Sequence, residues 1–158
     1  MAKCRPGYQM TLSWVPAEDG HVPKNAIGVD GGIYVCRAEH EGKIIPGSLV
    51  PADKAATICL DDVVYKKRTY EVLCNSSFGC RCAYYWISDE RGYTPKNALV
   101  AGSHQPGCYA LIARAKINGK MAIGMLLELL LYLLELHDFK EQTSVTVVLS
   151  TTLYVRFL

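Results

Sequence analysis

Phenylalanine is scarce in this chain, with three residues against ten tyrosines, and nowhere is there a run of about 20 apolar residues long enough for a membrane span. The opening "MAKCRPGYQM" has no apolar core of signal-peptide length, so a cytoplasmic protein is expected. Charge of one sign is also lacking. A net charge of +2 sets up no global field towards nucleic acid or an anionic membrane. The seven cysteines are odd in number and, in a cytosolic chain, are expected to be reduced. The sequon Asn75-Ser76-Ser77 is then idle. No Gly-rich phosphate loop, nucleophile elbow or zincin motif is present, and the four histidines show no paired metal spacing. Cys74, Cys80 and Cys82 are spaced C-x5-C-x-C, without the close knuckle of a zinc site. These absences argue against an enzyme, a metal site and a cofactor.

What is present is a folded composition and a repeat. Half the residues are hydrophobic and a fifth are charged, which excludes a disordered polyampholyte. "WVPAEDGHVPKNAI" (14–27) returns as "WISDERGYTPKNAL" (86–99). Trp14, Gly20, Pro23, Lys24, Asn25 and Ala26 answer to Trp86, Gly92, Pro95, Lys96, Asn97 and Ala98 at one constant offset. After a change of length, "IYVCRAEHEGKIIPG" (33–47) aligns with "ALIARAKINGKMAIG" (110–124), and Arg37 answers to Arg114. A weaker echo sets "TYEVLC" (69–74) against "VTVVLS" (145–150). Between the blocks, "GVDGG" becomes the longer "VAGSHQPGC", which reads as a surface loop. Self-similarity at this period marks a duplicated unit. The expected domains are a first repeat over 10–82 and a second over 83–158, degenerate after about 124.

Each unit reads as strands. "IYVCRA", "ALIARA", "TYEVLC", "VTVVLS" and "TLYVRFL" are short, β-branched or tyrosine-bearing, and Gly, Pro, Asn and Asp separate them. The fold class expected is all-β: two tandem pseudo-symmetric antiparallel β-repeats. "EGK" and "NGK" predict hairpin turns, with Gly42 and Gly119 at positive φ. Pro23–Ala26 predicts a turn into a loop, and Trp14 and Trp86 predict core anchors. "YKKRTY" predicts a solvated strand edge. "MLLELLLYLLELHDF" (125–139) conflicts with this pattern: its composition is helical where the repeat demands loop and strand. Strands, a short helix and an unfinished unit all stay open. A short helix near 126–137, followed by strands, is the expectation.

The phrases W-x5-G-x2-P-K-N-A-I, the Gly/Asp loop, "IYVCRAEHEGKIIPG" and "YEVL" resemble the DM-nine repeat family, whose tandem pairs occur in molluscan mannose-binding lectins. The resemblance covers residues 14 to about 124 well and the tail poorly. It implies a non-enzymatic, mannose-type carbohydrate-binding module used in pathogen recognition. It also implies a homodimer, and association with vesicles or release by a non-classical route. In such relatives a loop acid and the lysine of P-G-K hold sugar hydroxyls, and charged groups suit that task. The matching positions here are Asp30 for the acid and Ser48 for the lysine in the first copy, and His104 and Met125 in the second. Glu39 is a further candidate acceptor, its other reading being a solvated surface acid. The alternative keeps the scaffold but not the sugar: an interaction or structural protein with degenerate sites, contacting a protein partner through its apolar C-terminal segment.

Overall fold

The computed structural model describes residues 3–4, 7–8, 12–29, 31–61, 63–76, 84–89, 98–105, 107–117, 120–127 and 145–150. In chain order its strands are β1 (Lys3–Cys4), β2 (Gly7–Tyr8), β3 (Leu12–Glu18), β4 (Gly28–Val29), β5 (Ile33–His40), β6 (Lys43–Val50) and β7 (Ala55–Leu60). There follow β8 (Val63–Lys67), β9 (Thr69–Asn75), β10 (Tyr84–Asp89), β11 (Leu99–Gln105), β12 (Cys108–Ile117), β13 (Lys120–Leu127) and β14 (Val145–Ser150). Among the described residues the only helical element is a 3-10 turn at Pro51–Asp53. The all-β class and the antiparallel pairing hold. Leu126 and Leu127, where a helix is expected to begin, end strand β13, and 128–137 lie outside the described residues. "TLYVRFL" also lies outside them, as does Gly119.

The strands form two sheets. The first runs β3-β9-β5-β6-β7-β8, with β4 also on β5. The second runs β10-β14-β12-β11-β1-β2, with β13 also on β12. The stretch β3-β9-β5-β6, with β4 on β5, thus has the same pairing order as β10-β14-β12-β13, with β11 on β12. One detail differs from the sequence match. Leu73 stands opposite Trp14 and Val148 opposite Trp86, while Glu71 stands opposite Arg37 and Thr146 opposite Arg114. "TYEVLC" therefore corresponds to 144–149, one residue earlier than the identities suggest. Such a slip exchanges the faces of a strand, so register decides and identity misleads.

Strand β5 is central because both its faces are apolar: Val35 points to one side, Cys36 and Ala38 to the other, and all three are buried. Its hairpin to β6 turns at Glu41 and Gly42, with φ of +53° and +75°. Consecutive positive φ values belong to the tight turn that matches strand twist, and Gly adopts them without strain. Asn25 at φ +63° makes the expected Pro23–Ala26 turn, closed by Ala26 N–H to Pro23 O at 3.3 Å. "VAGSHQ", expected as loop, is strand β11, and register shifts along β11–β12 absorb its extra length.

One core lies between the sheets. It joins Leu12, Trp14, Ile27, Val35 and Leu73 to Leu99, Ala101, Ile112 and Ile123. Trp14 is buried in it and Trp86 packs on it half-buried. A second cluster on the other face of the first sheet holds Cys36, Ala38, Ile45, Leu49, Ile58, Tyr70 and Val72. The sheets meet where β6 faces β11 and β13. There a Cβ on Gly102 would collide with the carbonyl oxygen and side chain of Ile44.

Candidate functional site

The inter-sheet face of β5 becomes polar towards its C-terminal end. Arg37 donates from Nε to Glu71 Oε2 at 2.6 Å and from Nη1 to Ala101 O at 2.6 Å. Its guanidinium lies 4.4 Å from the ring centroid of Trp14. One side chain thus ties β9, β11 and the buried tryptophan together. The pairing is charge-assisted and directional, as a planar fork permits. Arg114 stacks on Trp86 in the same way, at 4.3 Å, but the residue across from it is Thr146 in place of an acid.

Beyond Arg37 the sheet opens into a groove of about 260 Å³ lined by Arg37, Glu39, Ile44, Thr69 and Glu71. Its lining is mostly apolar, with carboxylates, a guanidinium and a hydroxyl at its margin. Carboxylates accept paired hydroxyls and guanidinium donates to oxygen pairs, so the polar margin offers partners to hydroxyls. A second hollow of about 330 Å³ opens beside Asn25, Asn75 and Tyr84, at the Pro-Lys-Asn-Ala turn.

Of the four residues picked from sequence, Ser48 and Glu39 lie apart on the first sheet, His104 is on the second, and Asp30 is not among the described residues. The residues on either side of position 30, Val29 and Gly31, are described, and Val29 pairs with Ile33 at the start of β5. Ser48 is half-buried on β6, between Val35 and Thr57, on the face turned to the second sheet. Glu39 is exposed at the far end of β5, opposite Ile44. Ile44 and Ser48 are four residue steps apart along the strand, about 13 Å at the usual rise. Glu39 also accepts from Gly42 N–H at 2.6 Å, so it closes the hairpin as well as lining the groove. His104 is on strand β11, not in a loop, two residues past Gly102, and its side chain lies outside those described. Met125 packs against the apolar cluster of the first sheet. Arg37 and Glu71 were missed as site residues. The signal for them was there: Arg37 recurs as Arg114, and Glu71 sits inside "YEVL".

The thiols are inert where buried. Burial pushes Cys36 up to about 12 and raises Cys74 as well. Among the described residues no cluster of three or more His, Cys, Asp or Glu is arranged to hold a metal, and no helix is long and apolar enough to cross a membrane.

Facing antiparallel sheets, a shared core and two small surface hollows define an all-β module. The DM9 repeat model matches residues 29–133, and the chain belongs to that family of non-enzymatic repeats. No curated protein matches the chain.

Proposed function

We propose that this chain is a lectin-like carbohydrate-binding protein that takes mannose-type glycans through its first repeat, and that it serves pathogen recognition in the cytoplasm, on vesicles or after non-classical release. In this reading 10–82 and 83–158 are tandem copies of one unit, the second degenerate after about 124. The observation that carries it is membership of the DM9 repeat family, with the first-copy motif kept apart from a shortened Gly/Asp loop and the lysine position. Asp30 supplies the carboxylate, and Ser48 stands where relatives place the lysine. Ser48 makes this a weak site, because a neutral hydrogen bond is about half as strong as a charge-assisted one. The groove at Glu39 and Glu71 offers a second place for hydroxyls. Purified protein on a mannose-type glycan array, with Asp30→Ala and Glu71→Gln alongside, tests this. Loss of roughly 10-fold or more in Asp30→Ala is expected, the size of one charged hydrogen bond. A folded sample that binds no glycan sinks the lectin reading. Loss only in Glu71→Gln moves the site to the groove. The interaction-protein alternative is favoured by one observation: Val63 and Val64 on an end strand are exposed.

A further inference from the structure

A hollow of about 330 Å³ opens where the Pro-Lys-Asn-Ala turn meets the end of β9 and the start of β10. It is lined by Asn25, Ala26, Ile27, Asn75 and Tyr84, none of which is charged. Backbone bonds fix its walls: Asn75 N–H donates to Asn25 O at 2.9 Å, and Ile27 N–H to Leu73 O at 2.8 Å. The two asparagines are thus neighbours on adjacent stretches of chain. Tyr84 comes to the hollow from the second sheet and packs on the inter-sheet core. We propose that this hollow binds a neutral acetamido sugar, an N-acetylhexosamine unit, with Asn25 and Asn75 on its amide and Tyr84 on its ring.

The lining sets the ligand class. A charged ligand would lose hydration here with no opposite charge to replace it, so uronic acids, sialic acids and free amino sugars are disfavoured. A carboxamide both donates and accepts at several positions, so a bond within the fold leaves others for a ligand. An acetamido group is a trans secondary amide, and its N–H and C=O point in opposite directions. Two neighbouring carboxamides answer both ends, one accepting from the N–H and the other donating to the C=O. A single hydroxyl answers one of them. The acetamido methyl suits the small apolar part of the lining at Ala26 and Ile27. The C–H face of a pyranose packs on an aromatic ring, which Tyr84 supplies.

Folding alone does not demand these three polar residues. Asn25 has φ +63°, a conformation that Asn, Asp and Gly adopt. Asp would bring a charge and Gly no side chain. Asn75 ends β9 opposite Leu12, and asparagine is depleted in strands. Tyr84 answers to Leu12 in the phrase match that sets Trp86 against Trp14, and it stands opposite Ser150 as Leu12 stands opposite Asn75. Leu12 is fully buried, whereas Tyr84 is half-buried and lines the hollow. A ring with a polar tip thus replaces a core leucine where the two sheets meet. The hollow shares no lining residue with the groove at Glu39 and uses neither Asp30 nor Ser48, so it goes beyond the mannose reading.

Chemical-shift titration of the full chain with methyl N-acetyl-β-D-glucosaminide, up to about 10 mM, tests the inference, a level that registers even millimolar affinity. Methyl β-D-glucoside, with a hydroxyl in place of the acetamido group, is the comparison and is expected to bind at least about 5-fold more weakly, the size of one or two hydrogen bonds. Asn25→Asp and Asn75→Asp keep the shape of the side chain, and Asp keeps the turn at position 25, but each removes a donor and adds a charge. Each is expected to weaken the glucosaminide by about 5-fold or more. Tyr84→Leu is expected to do the same by removing the ring, and thermal melts show which variants are folded. No shift with the glucosaminide overturns the inference. So does equal affinity for the glucoside, or unchanged affinity in both folded Asp variants. Methyl α-D-mannoside is titrated alongside. Mannoside binding without glucosaminide binding overturns this inference and leaves the mannose reading standing, and the reverse result keeps this inference and sinks that reading.

Discussion

Arg37 shows how much one side chain can carry. It could have been a surface charge at the end of a strand; it instead holds Glu71, the Ala101 carbonyl and the face of Trp14 at once. The half-buried position makes each contact stronger than it would be in water, and the groove takes its charge pattern from this pair. Cysteine behaves in the opposite way. Cys36 is fully buried and its thiol is pushed up to about 12, whereas Cys59 is exposed. A thiol-labelling time course at pH 8 on the native protein is expected to modify Cys59 and spare Cys36, with Cys36 reacting once denaturant is added. Equal labelling of both in the native state would contradict the burial. The same shift gives a pH dependence. The folded state holds the Cys36 proton more tightly than the unfolded chain does, so its contribution is complete below the unfolded value near 9. It is lost as pH rises towards 12, and melts across that range are expected to fall.

At the scale of elements, the first sheet is stiffened by a tyrosine that reaches out of its strand. Tyr70 on β9 accepts from Gly20 N–H at 2.9 Å and donates to His21 O at 3.2 Å. This pins the loop after β3 against Pro51 of the 3-10 turn, where a Cβ on Gly20 would come within 2.5 Å of the Pro51 carbonyl oxygen. Burial raises the Tyr70 pKa, so the phenol keeps the proton it donates. Tyr70→Phe is expected to lower unfolding free energy by about 1–2 kcal/mol, since one backbone N–H is left unsatisfied. Urea melts check it, and an unchanged midpoint would show that the loop stands without the bond. How much of this was legible varies by element. Strands β5 and β9 and the Glu-Gly turn were readable, because alternation and positive φ leave local marks in sequence. The pairing of β1 with β11 was not, since two residues at the chain start and two from 99–100 share no local signal. The register of β14 was not either: "VTVVLS" has valines at both odd and even positions, which blurs the alternation that Thr146 and Ser150 begin. Of the site, the Pro-Lys-Asn-Ala turn was legible, but Glu39 hid its second use because a turn acceptor and a ligand acceptor look alike.

At the scale of the whole molecule, the question is what makes two sheets one protein. They share a core, and the Arg37 bond to Ala101 crosses between them. Their backbones approach closely at Gly102, which lies on Ile44 of β6. An ordinary side chain there has nowhere to go, because the obstacle includes a backbone carbonyl as well as a movable methyl. Glycine at this position is thus a condition of the sheets packing at their observed separation, with no turn or positive φ to explain it. Gly102→Ala is expected to push β11 off β6 and cost about 1–3 kcal/mol, the range for overpacking a close-packed interior. Because the Ala101 carbonyl is one residue away, Arg37 should lose that bond too, and the loss should exceed that of a lone methyl inserted elsewhere. Gly124→Ala is the control, since a Cβ there meets nothing within 4 Å and its change should stay within about 0.5 kcal/mol. Thermal melts of the two variants side by side decide the matter. A large drop for Gly102→Ala beside a small one for Gly124→Ala places the stability of the molecule at the seam between the sheets. Equal drops would mean that the sheets stand independently and that the shared core is incidental to the fold.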